Sequence, residues 1–176
     1  MNLIETNRLY FREIEESDDY SILELDSDPG VHQYLGNRPI EDITEARKLI
    51  QFIRQQYVDN GIGRLAIIEK ETNYFVGWGG FKLITDFVNG HQNYHDLGYR
   101  IIRKYWGKGY ATESSKAAID FAFNKLGFDI IHAITDVNNI QSKKVLEKCG
   151  FIYKEVFEYH TVPHYWFELK KQKRNF

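Results

Sequence analysis

At 176 residues and a formal net charge of −2, the chain has the length of one compact domain and lacks the strong positive balance of a nucleic-acid binder. Its 43% apolar and 27% charged residues describe an ordinary globular chain, and its single cysteine, Cys149, excludes an intrachain disulfide framework. No apolar run approaches the roughly 18 residues of a membrane span, and Met1 to Thr6 lacks the basic start and long apolar stretch of a secretory leader. A cytoplasmic setting, away from membranes, is expected.

Residues 1–176 read as a single domain with no linker or repeat. Leu9 to Ile14 is predicted as a first strand. Ser17-Asp18-Asp19 follows as a cap for a helix through Leu25, and a short helical piece covers Val31 to Leu35. Asp42 and Glu45 have capping-box spacing. Ala46, Leu49, Ile50, Ile53 and Tyr57 then recur at steps of three and four, which predicts an amphipathic helix ending near Asn60-Gly61. Strands are expected over Arg64 to Glu69, Phe75 to Leu83 and Asp96 to Ile102, with Asn89-Gly90 as a tight turn inside a polar loop. A helix from Ala111 to Lys125, a strand from Phe128 to Val137 and a helix carrying Ser142, Val145, Leu146 and Cys149 come next, the last closed by Gly150. Strands Phe151 to His160 and His164 to Leu169 flank a turn at Val162-Pro163. The order predicts a mixed α/β fold around one central sheet flanked by helices.

The chemistry concentrates between Gly98 and Phe151. A strand runs into Gly107-Lys108-Gly109-Tyr110-Ala111-Thr112 and then a helix. Unpaired N–H groups and partial positive charge at a helix start, with glycines that let backbone approach a ligand, make a site for phosphate or pyrophosphate. Neither the P-loop nor the dinucleotide fingerprint fits: Lys108 sits between the two glycines, and the sixth position is Thr112. A tight β–α turn that binds nothing is the plain alternative. No histidine spacing matches a zinc motif, so no metal is expected.

Gly98-Tyr99-Arg100, Tyr105 to Glu113, Asn139-Ile140-Gln141-Ser142 and Glu147 to Phe151 together resemble the GNAT family of N-acetyltransferases. Thr6-Asn7-Arg8-Leu9 and Tyr165 to Leu169 extend the likeness toward the branch of ribosomal-protein N-terminal acetyltransferases. The resemblance implies a mostly antiparallel sheet splayed between two parallel strands, Asp96–Ile102 and Phe128–Val137, with acetyl-CoA as co-substrate in the opening. It implies pantetheine pairing along the backbone near Ile101, Ile102 and Arg103. It further implies pyrophosphate on the amides of Gly107, Lys108, Gly109, Tyr110, Ala111 and Thr112, with Asn139 and Ser142 beside the thioester. Two positions depart from the family pattern: Lys104 replaces the usual Gln or Arg, and Leu146 stands where many members carry a general-acid Tyr.

The implied reaction is attack of a primary amine on a thioester, possible targets being a protein N-terminal α-amine or a small-molecule amine. It needs a neutral amine, a stabilised oxyanion and a proton for the leaving thiolate. Asp96, where the family often has Glu, is the expected base, with Asp136 as a second candidate. Ser142 inherits the proton-donor role from the resembled branch, and a backbone N–H near Ile101 or Ile102 is the expected oxyanion donor. Cys149 is expected to be a core residue. His164, Tyr165, Trp166 and Tyr34 are candidates to line the amine pocket, and Lys170 to Arg174 a solvated tail. A non-catalytic acyl-CoA sensor, and a nucleotide-binding domain, are the rival readings. A homodimer through the last strands or the 85–95 loop is the expected assembly.

Overall fold

A computed structural model describes residues 3–172. Its centre is one eight-stranded sheet: β1 (Ile4–Glu5), β2 (Leu9–Glu13), β3 (Arg64–Glu69), β4 (Phe75–Ile84), β5 (Tyr94–Ile101), β6 (Ile130–Asp136), β7 (Ile152–Tyr159) and β8 (Val162–Lys170), in the order β1-β2-β3-β4-β5-β6-β8-β7. Every neighbouring pair is antiparallel except β5 and β6. Those two run parallel and meet at one register position, Asp96 opposite His132. Beyond it β5 stays paired to β4 as far as Ile101, and β6 stays paired to β8 as far as Asp136. The sheet is therefore split between its two parallel neighbours.

Helices α1 (Asp19–Asp26), α2 (Pro29–His32) and α3 (Ile43–Asn60) precede β3, α4 (Tyr110–Phe121) connects β5 to β6, and α5 (Ile140–Lys148) connects β6 to β7. Asp42 caps α3 by accepting the amides of Thr44 (2.7 Å) and Glu45 (3.0 Å). Glu45 returns to the amide of Glu41, one residue before the expected reciprocal partner. Ala46, Ile50 and Ile53 enter the core, and Gly61, left-handed at φ 66°, ends the helix. α4 continues as a wider π-turn through Leu126 and stops at left-handed Gly127.

Three local expectations change. Asp18 does not cap α1 through its side chain; the carboxylate pairs with Arg12 (2.7 Å) and accepts the amide of Glu15 (2.8 Å). The short helix lies at Pro29–His32 rather than at Val31 to Leu35, because Asp28 accepts the amide of Gly30 and Pro29 starts a helix readily. The last hairpin turns at His160-Thr161, not at Val162-Pro163: both turn residues have positive φ (48° and 68°). Pro163 instead lies in β8 with its carbonyl accepting from Val137 N–H (3.2 Å). Proline loses only its donor, so it serves where a carbonyl is needed.

The Asn89-Gly90 turn forms as expected, with φ of 49° and 78° and paired backbone between Val88 and His91. It reaches over the other half of the sheet. His91 stacks on Trp166 (centroids 4.9 Å, 17°), and Asn89 donates to Glu155 of β7 (3.0 Å). This loop ties the two halves of the split sheet together near the end where they meet.

Candidate functional site

Side chains alternate faces along a strand. On β5, Asp96, Gly98 and Arg100 share one face; Leu97, Tyr99 and Ile101 share the other. The first face lies toward α1, since Arg100 Nη1 donates to Asp26 (2.5 Å). The second lies toward α5, since the Tyr99 hydroxyl is 3.0 Å from Ser142 Oγ. Chemistry at the split can thus be served from two sides.

After Ile101 the chain makes a short turn, Arg103–Tyr105, and reaches Gly107-Lys108-Gly109. Gly107 (φ 76°) and Gly109 (φ 81°) are both left-handed, and a side chain added at Gly107 would meet nothing within 4 Å. Glycine is required there by conformation and leaves the turn open. Gly109 is the N-cap of α4 and supplies no capping side chain; the helix ladder begins with the Glu113 amide on the Gly109 carbonyl (3.0 Å). The amides of Tyr110, Ala111 and Thr112 therefore have no ladder partner and sit at the positive end of the helix. That arrangement fits a phosphate group. Arg8 braces the turn: Nη1 donates to the Lys108 carbonyl (3.0 Å), Nη2 pairs with Glu113 (2.5 Å), and the guanidinium lies 4.5 Å over the Tyr110 ring. Glu113 also accepts the Thr6 hydroxyl (2.6 Å). The Tyr110 side chain points away from the turn and bonds Glu69, which pushes its pKa up to about 12.

The β4–β5 ladder decides which amides face the split. Ile102 N–H donates to Val76 of β4 (3.0 Å), so even-numbered residues of this stretch turn their amides to β4. The amides of Tyr99 and Ile101 turn the other way. Of the two amides expected to hold an oxyanion, Ile102 is already engaged and Ile101 is the one directed to the split. The Ile101 carbonyl takes the Trp106 indole N–H (2.6 Å). Arg103 folds back over Gly30 and pairs with Asp28 (3.5 Å), linking this corner to α2.

Asp96 sits where β5 and β6 diverge, largely covered, and is paired with buried Arg64 (Nη2 to Oδ2, 2.5 Å). Arg64 also donates to the backbone carbonyls of Gly80 and Asp96. Burial raises the Asp96 pKa, and Arg64 opposes that rise. Arg64 and Arg100 flank the Trp78 ring at 5.7 and 5.0 Å. Asp136 is engaged locally, where Oδ1 accepts the amide (2.8 Å) and side-chain Nδ2 (3.1 Å) of Asn138 in the turn after β6.

On the opposite face, Asn139 caps α5 by accepting the Ser142 amide (3.0 Å), which places Ser142 in the first turn with its hydroxyl against Tyr99. Cys149 packs behind α5 with its thiol raised to about 11 by burial, so it is a poor nucleophile at neutral pH. Trp166 is fully buried in a cluster with His91, Tyr94, His132 and Phe157. It is a wall of the sheet rather than an open lining residue. Lys170 and Lys171 are held by Glu168 and the Phe123 carbonyl; Lys173 and Arg174 of the expected tail lie outside the described residues. No group of three or more His, Cys, Asp and Glu suited to a metal occurs among the described residues, and none of their helices is long and apolar enough to cross a membrane.

The sequence pattern of an Acetyltransferase (GNAT) domain matches residues 8–152. The chain belongs to the GNAT acetyltransferases. An uncharacterized N-acetyltransferase p20 of Bacillus licheniformis is 34% identical over 151 residues, covering 86% of this chain and 83% of that protein. Two solved structures share the fold: a ribosomal-protein-S5-alanine acetyltransferase from Vibrio fischeri (TM-score 0.75, 18% identity, 94% of each chain) and a spermidine N-acetyltransferase from Vibrio cholerae in complex with CoA and spermine (TM-score 0.76, 18% identity, 94% of this chain and 96% of that one). GNAT acetyltransferases move acetyl groups from acetyl-CoA to amines.

Three residues at this candidate site received no role from the sequence. Arg8 was visible only as part of a family-like segment, because its contact with Lys108 spans 100 residues of chain. Arg64 reads as the first residue of a strand, and nothing local marks it as the partner of Asp96. Tyr99 stands between Gly98 and Arg100 in a strand pattern, and its hydrogen bond to Ser142 appears only when β5 and α5 meet.

Proposed function

We propose that the whole chain acts as one N-acetyltransferase domain that acetylates a protein N-terminal α-amine by direct attack on acetyl-CoA. The observation that carries this reading is the split at Asp96–His132, with the uncapped, glycine-led start of α4 at its mouth. In this reading Gly107, Lys108, Gly109, Tyr110, Ala111 and Thr112 hold the pyrophosphate through backbone amides. Ile101, Ile102 and Arg103 border the pantetheine, Asn139 and Ser142 lie beside the thioester, and the Ile101 amide faces the developing oxyanion.

The amine lone pair forms the new C–N bond and the C–S pair leaves on sulfur. One proton passes from nitrogen through water to Asp96, and the thiolate takes one from the Ser142 hydroxyl, which solvent restores. The ion pair with Arg64 bears on the acceptor. Burial raises the Asp96 pKa and Arg64 limits that rise, so Asp96 stays a modest base, which suits an amine that is already partly neutral. At about pH 7.5 roughly a quarter of α-amines are neutral, against about 0.1% of lysine-type amines. The fold likeness to a spermidine N-acetyltransferase supports a small polyamine as the second reading. A homodimer through the last strands is supported by the edge strand β7, which exposes Ile152, Tyr153 and Val156; sedimentation of Val156→Lys against the unaltered chain tests it.

Thermal unfolding with acetyl-CoA, CoA, ATP and NAD in parallel tests the donor. Ligand at about 100 times its dissociation constant adds roughly 2.7 kcal/mol. Stabilisation by acetyl-CoA and CoA alone is expected, and a response only to ATP or NAD refutes the reading. Turnover on peptide N-termini against polyamines then decides the acceptor. CoA binding with no turnover on either panel identifies a sensor instead.

A further inference from the structure

We propose that Tyr99 is a positioning residue that holds the Ser142 hydroxyl with its proton turned toward the leaving sulfur. The inference rests on the acetyl-transfer reading above and adds a residue to it. Tyr99 lies on the face of β5 that carries Ile101, and its hydroxyl is 3.0 Å from Ser142 Oγ and 3.3 Å from the Ser142 carbonyl. Ser142 is fixed from the other side, since its amide is held by the Asn139 cap.

The direction of the hydroxyl–hydroxyl bond follows from what each oxygen has left to do. The Ser142 carbonyl lies in the first turn of α5 and belongs to the helix ladder. Its Oγ is the nearer acceptor for Tyr99. A phenol is a better donor than an aliphatic hydroxyl, and burial raises the Tyr99 pKa, so it remains protonated through the catalytic range. With Tyr99 donating to Oγ, the serine proton cannot point back along the same line and rotates into the cleft. Tyr99 itself neither gains nor loses a proton. Leu146, where many family members carry a tyrosine, is buried at 2% exposure and packs in the core, so that position cannot supply a hydroxyl here.

The test is Tyr99→Phe, which keeps the ring and removes only the hydroxyl, compared with Ser142→Ala and the double variant. The expected result is a kcat about fivefold to tenfold lower for Tyr99→Phe, as for the loss of one hydrogen bond, with KM for acetyl-CoA and CoA-induced thermal stabilisation unchanged. The double variant should be no slower than Ser142→Ala alone, because Tyr99 acts only through that hydroxyl. Losses that multiply in the double variant overturn the proposal, as does a raised KM with unchanged kcat or a Ser142→Ala enzyme as fast as the parent. Incorporation of 3-fluorotyrosine at position 99 guards against a misfolded variant: it keeps the shape and strengthens the donor, so kcat should hold or rise, and a fall overturns the proposal. If the parent enzyme neither binds CoA nor turns over, the acetyl-transfer reading itself has failed, an outcome distinct from a working enzyme indifferent to Tyr99.

Discussion

Gly98→Ala should separate Arg64 from Asp96 while leaving both residues in the sequence unchanged. A Cβ at position 98 would lie 2.6 Å from Arg64 Nη2 and 2.8 Å from Cζ, closer than atoms approach. The guanidinium has little room to retreat: its side chain is about nine-tenths covered and it is bonded to two backbone carbonyls and to Asp96. Breaking a buried pair from one side costs about 3 kcal/mol or more, because the remaining charge keeps its burial and loses its partner. For a chain of this length that corresponds to a melting temperature lower by roughly 6 to 12 °C. The second consequence is catalytic. Burial raises the Asp96 pKa and Arg64 restrains it, so displacing Arg64 leaves burial opposed only by the more distant charge of Lys82 and the carboxyl titrates higher. The acid limb of the kcat/KM profile should move to higher pH. Urea unfolding and a pH–rate profile between about pH 5 and 9 measure both effects. A Gly98→Ala protein as stable as the parent, with an unmoved acid limb, would refute the account of this pair.

Burial, reinforced by His91, lowers the His132 pKa to about 4. The unfolded chain then binds more protons as pH falls below about 6.5, so stability is full above that value and declines toward pH 4 by up to roughly 3 kcal/mol. Urea midpoints across this range should fall faster for the parent than for His132→Leu, and parallel curves would exclude His132 as the source. Gly109→Val should weaken CoA binding at least tenfold: the residue holds φ 81°, which a β-branched side chain resists, and the backbone must shift to admit it. Calorimetric titration with CoA measures this, and unchanged affinity would remove the turn from the phosphate site. Arg8→Gln should raise the dissociation constant for CoA several-fold with little effect on kcat at saturation, since Arg8 supports the turn through Lys108 and Glu113. A loss confined to kcat would place Arg8 elsewhere.

Elements whose signals are local are legible in the chain alone. Asp42 before a three-and-four apolar repeat specifies α3, Asn89-Gly90 specifies a tight turn, and glycines at 107 and 109 followed by small and polar residues specify an open helix start. Proline misled at Pro163, because it is a turn former by habit yet costs a strand only one donor. Tertiary packing settles whatever depends on strand order and on which face meets which helix. The split exists because β5 and β6 run parallel and share a single register position, which no local pattern encodes. The alternation of the β4–β5 ladder turns the Ile101 amide, and not that of Ile102, toward the split. Arg64 with Asp96, Arg8 with Lys108 and Tyr99 with Ser142 are separated by 32, 100 and 43 residues. Hydrogen bonds and ion pairs act over about 3 Å of space and leave no periodic trace along the chain, so only the assembled sheet and its helices bring these partners together.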